Sequence, residues 1–305
     1  MHLVHNNSPA ITQHILQVLI MKYFFACIFS LFLLISCSQD EYDSVEPILV
    51  VEGWIDAGGF PKVILTQNIP VSDKEHKLDD LGEYLIKWAK VTVSDGERSV
   101  VLTGKYSQDY FPPYIYTTGE MRGEAGKTYY LTVQYGDFYA TAETTIPAKV
   151  GVQAFETAVE NDAYCIKALI DDNPLEKNYY KFFIKVFERD SMYLSSNFAV
   201  IDDKDYIFPC TIPVGVGQSP IYDSDRSYAL TENDRVLIKF AQVDSAAYSF
   251  WDNYKNMVEL GQNPFFRYSS SLPTNITGGI GYWFGYGASE YLFEPHNHAN
   301  PVRIK

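Results

Sequence analysis

A mainly β fold is what this sequence predicts: an N-terminal immunoglobulin-like β-sandwich over residues 48–148, then a second β-rich domain, 149–305, with one substantial helix. Three observations predict it. Short runs of β-branched and aromatic residues recur along the chain, separated by turn dipeptides such as Asp95-Gly96 and Gly136-Asp137. Tyrosine (24) and phenylalanine (19) are abundant while charged residues make up only 20%, which suits a globular β body and not a disordered one. One stretch alone, through Ala247, Trp251, Tyr254 and Val258, repeats its apolar residues at helical spacing.

Residues 1–20 hold three of the six histidines and no Lys or Arg. That suits neither a leader's basic start nor a folded element, so they are expected to be an upstream extension, with Met21 as initiator and a genuine cytosolic extension as the alternative. Residues 21–36 read as a lipoprotein signal peptide. Lys22 gives the basic start, residues 23–35 an uncharged apolar core, and Leu34-Ile35-Ser36-Cys37 sets a small residue directly before a cysteine. In that arrangement the Cys37 thiol takes the lipid, and Cys37 becomes the first residue once the peptide is cut before it. The alternative is an uncleaved transmembrane anchor. The charge-free run ends at Asp40 and includes Ser36, Ser38 and Gln39, which leaves it short of the roughly 20 apolar residues a span needs. Residues 37–47 then form an acidic, lipidated tether ending at Pro47.

In the first domain, 48–55 is a β-branched run containing Trp54, and 62–67 a second strand. Residues 73–83 are charged and irregular and read as an exposed loop. The runs 90–94 and 97–103 flank Asp95-Gly96, as a tight hairpin requires, and glycine supplies the positive φ that other residues resist. A second hairpin joins 128–135 to 138–145 through Gly136-Asp137, and 114–117 adds a further strand. This spacing of short strands and turns is the pattern of a small sandwich, which Thr145-Ile146-Pro147 closes.

In the second domain, 150–159, 163–170, 178–188 and 235–243 read as strands. Residues 190–233 are expected to be rich in loops, with Pro209, Pro213 and Pro220. Asp244 can cap the helix and Gly261 can end it. The glycine-rich run 273–287 contains Gly279-Ile-Gly281 and Gly285-Tyr-Gly287, fragments of nucleotide fingerprints. It lacks both a following helix and a GK[ST] signature, so it is expected to be a strand whose glycines admit another backbone or ring.

Removing residues 1–36 takes away only one charged side chain, Lys22, and leaves 38 acidic against 23 basic residues, a net charge near −15. Such a surface excludes nucleic acid as a partner and argues against electrostatic attachment to anionic headgroups, so membrane attachment falls to lipid. Two cysteines remain beyond Cys27 and Cys37. Cys165 and Cys210 form a permitted disulfide in an exported body, with two buried free thiols equally compatible.

Catalytic and metal patterns are weak, and no cofactor, metal site or catalytic residue is expected. His76 sits in a charged loop, and no GxSxG elbow is present for an acyl-transfer triad. His296-Asn-His298 has no third ligand in view. The acidic runs Asp202-Asp203-Lys204-Asp205 and Asp223-Ser-Asp225 lack the glycine and terminal glutamate of a calcium loop and read as solvated turns. A pair of carboxylates for glycoside hydrolysis is not readable from spacing. Tyr106, Tyr110, Tyr114 and Tyr116, around Phe111-Pro112-Pro113, form a candidate aromatic contact surface for a sugar or a partner protein, with filling of the sandwich edge as the plainer alternative.

Taken in order, the leader with Cys37, Val50-Val-Glu-Gly-Trp-Ile55, Gly126 to Tyr130, Ile146-Pro147, Tyr179-Tyr180, Asn263-Pro-Phe265 and Asn275-Ile-Thr-Gly-Gly-Ile-Gly281 resemble a Bacteroidota outer-membrane lipoprotein family, domain of unknown function 4249. The resemblance spans the chain from Cys37 onward. It implies a lipid-anchored outer-membrane protein associated with TonB-dependent transporters, with no established activity to carry over. Ser38-Gln-Asp-Glu41 is similar to the acidic signal that sends such lipoproteins to the outer leaflet. The expected function is therefore non-catalytic interaction or ligand capture at the cell surface beside a TonB-dependent transporter. The alternatives are a stand-alone glycan- or peptide-binding protein and, more remotely, a hydrolase.

Overall fold

The hairpins predicted from turn dipeptides are present in the computed structural model, which describes residues 21–22, 46–68, 82–160, 163–173, 175–197, 200–218, 229–261, 272–295 and 302–304. Beyond Met21, Lys22 and Glu46, these belong to one compact unit, Pro47–Lys305. Its N-terminal strands are β1 (Leu49–Asp56), β2 (Lys62–Gln67), β3 (Lys90–Ser94), β4 (Ser99–Tyr106), β5 (Tyr114–Thr117), β6 (Thr128–Tyr135) and β7 (Phe138–Thr145). At the β3–β4 turn Gly96 has φ +89°, and the Asp95 carboxylate accepts from the amides of Glu97 and Arg98 at 3.1 and 2.9 Å. The side chain thereby satisfies donors that the turn leaves without a strand partner.

The C-terminal half supplies β8 (Val152–Glu160), β9 (Ala163–Ile170), β10 (Tyr179–Val186), β11 (Leu194–Ser196), β12 (Ile201–Asp202), β13 (Cys210–Pro213), β14 (Gly217–Gln218) and β15 (Val236–Val243). Helix α1 (Ser245–Gly261) follows, then β16 (Ile280–Phe293) and β17 (Val302–Arg303). Asp244 caps α1, its carboxylate accepting from the Ala247 amide at 2.8 Å. The described residues of the stretch expected to be loop-rich, 190–233, hold four short strands, β11 to β14, whose two to four residues are too few to carry a readable period.

Among the described residues, fourteen strands form one sheet, in the order β14-β11-β10-β15-β16-β1-β2-β5-β4-β3-β6-β7, with β12 beside β10 and β17 beside β16. A second sheet, β13-β9-β8, covers part of it. The glycine-rich run becomes β16, the long central strand, antiparallel to β15 and parallel to β1. The division expected at 148/149 has no counterpart in this pairing, because β16 from the C-terminal half is hydrogen-bonded to β1 from the N-terminal half. The glycines of β16 explain the fit. A Cβ on Gly285 would lie 2.9 Å from the Ile146 Cα, and one on Gly287 would lie 2.2 Å from the Ala148 carbonyl oxygen, so the 146–148 backbone can cross only over bare glycine.

Strand alternation divides the core three ways. Val51, Ile55, Val63 and Leu65 point inward with Val91, Val133 and Trp283; the Trp283 indole is fully buried and donates to the Tyr129 carbonyl at 3.0 Å. Tyr180, Phe182 and Ile184 of β10, with Ile238 and Phe240 of β15, pack under the three-stranded sheet. On the opposite face, Phe183, Ala241, Tyr282, Phe284 and Tyr286 meet Phe250 and Trp251 of α1. That last face carries the charged side chains discussed next.

Candidate functional site

On β1 the residues turned away from the N-terminal core are Glu52, Trp54 and Asp56, and parallel pairing sets them opposite Tyr282, Phe284 and Tyr286 of β16. The same face receives Lys239 from β15, which pairs with Phe183 on one side and Glu290 on the other. These residues line a cleft of about 530 Å³, closed at its edges by Trp251 of α1, by Met192 and Tyr193 after β10, and by Tyr110 and Phe111 before β5. That volume lies within the range of small-molecule sites, and the mixture of rings with a few placed polar groups is what such sites use.

The polar groups are paired with one another. Lys239 Nζ donates to Asp56 Oδ1 at 2.5 Å, with both side chains about 95% buried, and the ammonium also lies 4.8 Å from the Tyr286 ring centre. This contact joins β1 to β15 across β16. The Tyr282 hydroxyl donates to Glu52 Oε1 at 2.7 Å. Burial raises the Glu52 carboxyl above the usual range, and the Tyr282 hydrogen bond only partly offsets it. The Trp251 indole donates to the Tyr286 hydroxyl at 3.3 Å. Burial, and after it the Glu290 carboxylate, raises Tyr193. Lys181, one turn of the pleat from Phe183, is fully buried; burial pushes its amine down to about 7, and its Nζ donates to Ser195 Oγ at 2.8 Å.

Of the four tyrosines read as an aromatic surface, one reaches this site. Tyr110 lines the cleft with its ring 5.9 Å from Trp54, and burial, followed by Asp109 and Asp56, pushes its hydroxyl to about 12. Tyr106 is exposed elsewhere on β4. Tyr114 and Tyr116 instead donate to the carbonyls of Lys87 and Ile86 at 2.9 and 2.8 Å, so they tie β5 to the segment before β3. Cys165 and Cys210 are free thiols. The disulfide is not formed: Cys210 pairs with Ile170, five residues along β9 from Cys165, roughly 16 Å at the strand rise, where a bridge needs Cα atoms within about 7 Å. In the acidic run, Asp202 accepts from Lys177 and Lys204; burial works against its ionisation, but those bonds outweigh burial and hold the carboxyl low. Cys37, His76, Asp223, Asp225, His296 and His298 lie outside the described residues.

Residues 37–291 match the sequence profile of a domain of unknown function, DUF4249. The chain belongs to the DUF4249 family. No curated protein matches it. Within this DUF4249 chain the cleft residues Asp56, Ser195 and Lys239, and Lys181 behind them, had no motif to announce them. The usable signal was a lysine inside a continuous apolar strand run, Tyr179-Tyr-Lys-Phe-Phe183 and Val236-Leu-Ile-Lys-Phe240, where both faces of the strand are buried and a charge needs a partner.

Proposed function

We propose that this DUF4249 protein is a lipid-anchored outer-membrane protein, facing the cell exterior through a lipid on Cys37, that captures a ligand in the cleft over β1, β15 and β16 and works beside a TonB-dependent transporter. The observation that carries the capture reading is the cleft itself: about 530 Å³ of space bordered by Trp54, Tyr110, Trp251 and Tyr286 around a buried Asp56–Lys239 pair. Aromatic planes supply contact area without the entropy cost of long side chains, and the charged groups fix orientation. The leader ending in Ser36-Cys37 and the acid excess support attachment by lipid.

The test is purification from native membranes with a C-terminal tag, comparing the wild-type protein with Trp54→Ala/Tyr110→Ala. The capture reading expects a transporter in stoichiometric amount and small molecules bound to the wild type and absent from the variant. Extraction of the protein alone, with identical small-molecule profiles for the two, refutes it.

A further inference from the structure

Ser195 lies on β11 opposite Phe183 of β10 and lines the cleft, with its Oγ 2.8 Å from Lys181 Nζ. Lys181 does not line the cleft; it is wholly buried, with Nζ 4.3 Å from the Trp251 ring centre and 5.4 Å from that of Phe183. The amine therefore stands behind the serine, screened from bulk water, while the hydroxyl is open to a bound molecule. A serine hydroxyl is a weak nucleophile until an adjacent base can take its proton. An ordinary lysine, titrating near 10.4, is protonated at neutral pH and cannot serve. Here burial brings the amine down to about 7, which leaves a large fraction of molecules with a free lone pair.

We propose that Ser195 is a nucleophile toward acyl groups bound in the cleft, with Lys181 as its base. The substrate class is a carboxylic ester whose acyl part is apolar or aromatic, since Phe183, Leu237 and Trp251 border the same space. Ser195 Oγ bonds to the carbonyl carbon and its proton passes to Lys181 Nζ. The bond to the leaving oxygen breaks, and that oxygen takes the proton from the Lys181 ammonium as the alcohol departs. Water then adds to the acyl-serine, giving its proton to Lys181; the carbonyl–Oγ bond breaks and Oγ recovers the proton, releasing a carboxylic acid. The only co-reactant is water. This goes beyond capture, which asks no chemistry of the cleft.

Other titratable groups share this face. Lys239 is held by Asp56, Tyr193 is raised by burial and Glu290, and Tyr254 and Tyr286 are raised by burial and stay neutral across the range tested. Glu52 is raised also, so Glu52→Gln separates its titration from that of Lys181.

The experiment treats the full chain with a fluorophosphonate probe, which is displaced at phosphorus by a nucleophilic serine with loss of fluoride, and locates the adduct by peptide mass spectrometry. One adduct, on Ser195, is expected, with a rate rising about tenfold per pH unit below about 7 and levelling above it, a profile retained in Glu52→Gln. Ser195→Ala abolishes labelling, Lys181→Met slows it about 100-fold or more, and Ser99→Ala, an exposed β4 serine outside the cleft, labels at the wild-type rate. No adduct, an adduct elsewhere, a flat pH profile, or a profile lost in Glu52→Gln overturns the proposal. If Lys181→Met does not fold, the comparison of wild type with Ser195→Ala still decides. The co-purification experiment reads capture separately, so either proposal can fail alone.

Discussion

Truncating Asp56 to Ala should destabilise the protein far more than removing the Asp56–Lys239 pair as a whole. The two side chains are 5% and 6% exposed and 2.5 Å apart, so Asp56→Ala leaves an ammonium ion in a largely dry site between Phe183 and Tyr286. Breaking a buried pair from one side costs about 3–5 kcal/mol, because the stranded charge keeps its desolvation penalty and loses its attraction. In a chain of this size each kcal/mol moves the midpoint by about 2–4 °C, so Tm should fall by about 6–20 °C. Lys239→Met alone removes the buried ammonium that faces the Asp56 carboxylate and should also lower stability. The double variant Asp56→Leu/Lys239→Met replaces both charges with apolar volume and should lie within about 1–2 kcal/mol of wild type, giving a coupling of several kcal/mol. Urea unfolding followed by tryptophan fluorescence measures all four proteins. Additive single effects would show that the pair is solvated in solution and would refute the reasoning.

Cys37→Ala is expected to release the protein from membranes into the soluble fraction; retention after a high-salt wash would oppose lipid anchoring. Gly287→Ala should cost several kcal/mol or prevent folding, since the new Cβ would sit 2.2 Å from the Ala148 carbonyl oxygen, whereas Gly119→Ala, with open space around it, should be nearly silent by thermal melting. Asp244→Ala should lower stability by about 1 kcal/mol through loss of the α1 cap, measured by denaturant titration. Glu52→Gln should grow more stable relative to wild type as pH rises. The folded-state carboxyl is raised, so the advantage of the protonated form is present at low pH and lost as pH passes upward through the folded value, a loss the amide does not suffer; a stability difference independent of pH would count against it.

The strands were legible because their signals are local. Asp95-Gly96 and Gly136-Asp137 fix two hairpins, and Ala247, Trp251, Tyr254 and Val258 mark the one α-helix among the described residues of the compact unit, each within a few positions of the residues concerned. The joining of the two halves was not legible, because the pairing of β1 with β16 spans about 230 residues and no short pattern encodes a partner so distant. The cleft was hidden for the same reason. Glu52 and Tyr282, Asp56 and Lys239, Lys181 and Ser195 become neighbours only after the sheet is assembled. Tyr110 was singled out from its local cluster, yet the ring it meets is Trp54, on the far side of a loop and three strands in sequence.

The position of β16 has a consequence for how the chain reaches this state. Until residues 280–293 are in place, β1 and β15 each present a bare hydrogen-bonding edge, and the Trp283 slot in the N-terminal core stands empty. Neither half can close on what precedes it, so contact order is high and the productive collapse must wait for residues 280–293. A polypeptide halted before Ile280 offers two unpaired strand edges to any neighbour, the usual route to edge-to-edge aggregation. A fold that withholds its central strand in this way keeps its two halves from closing until that strand is made.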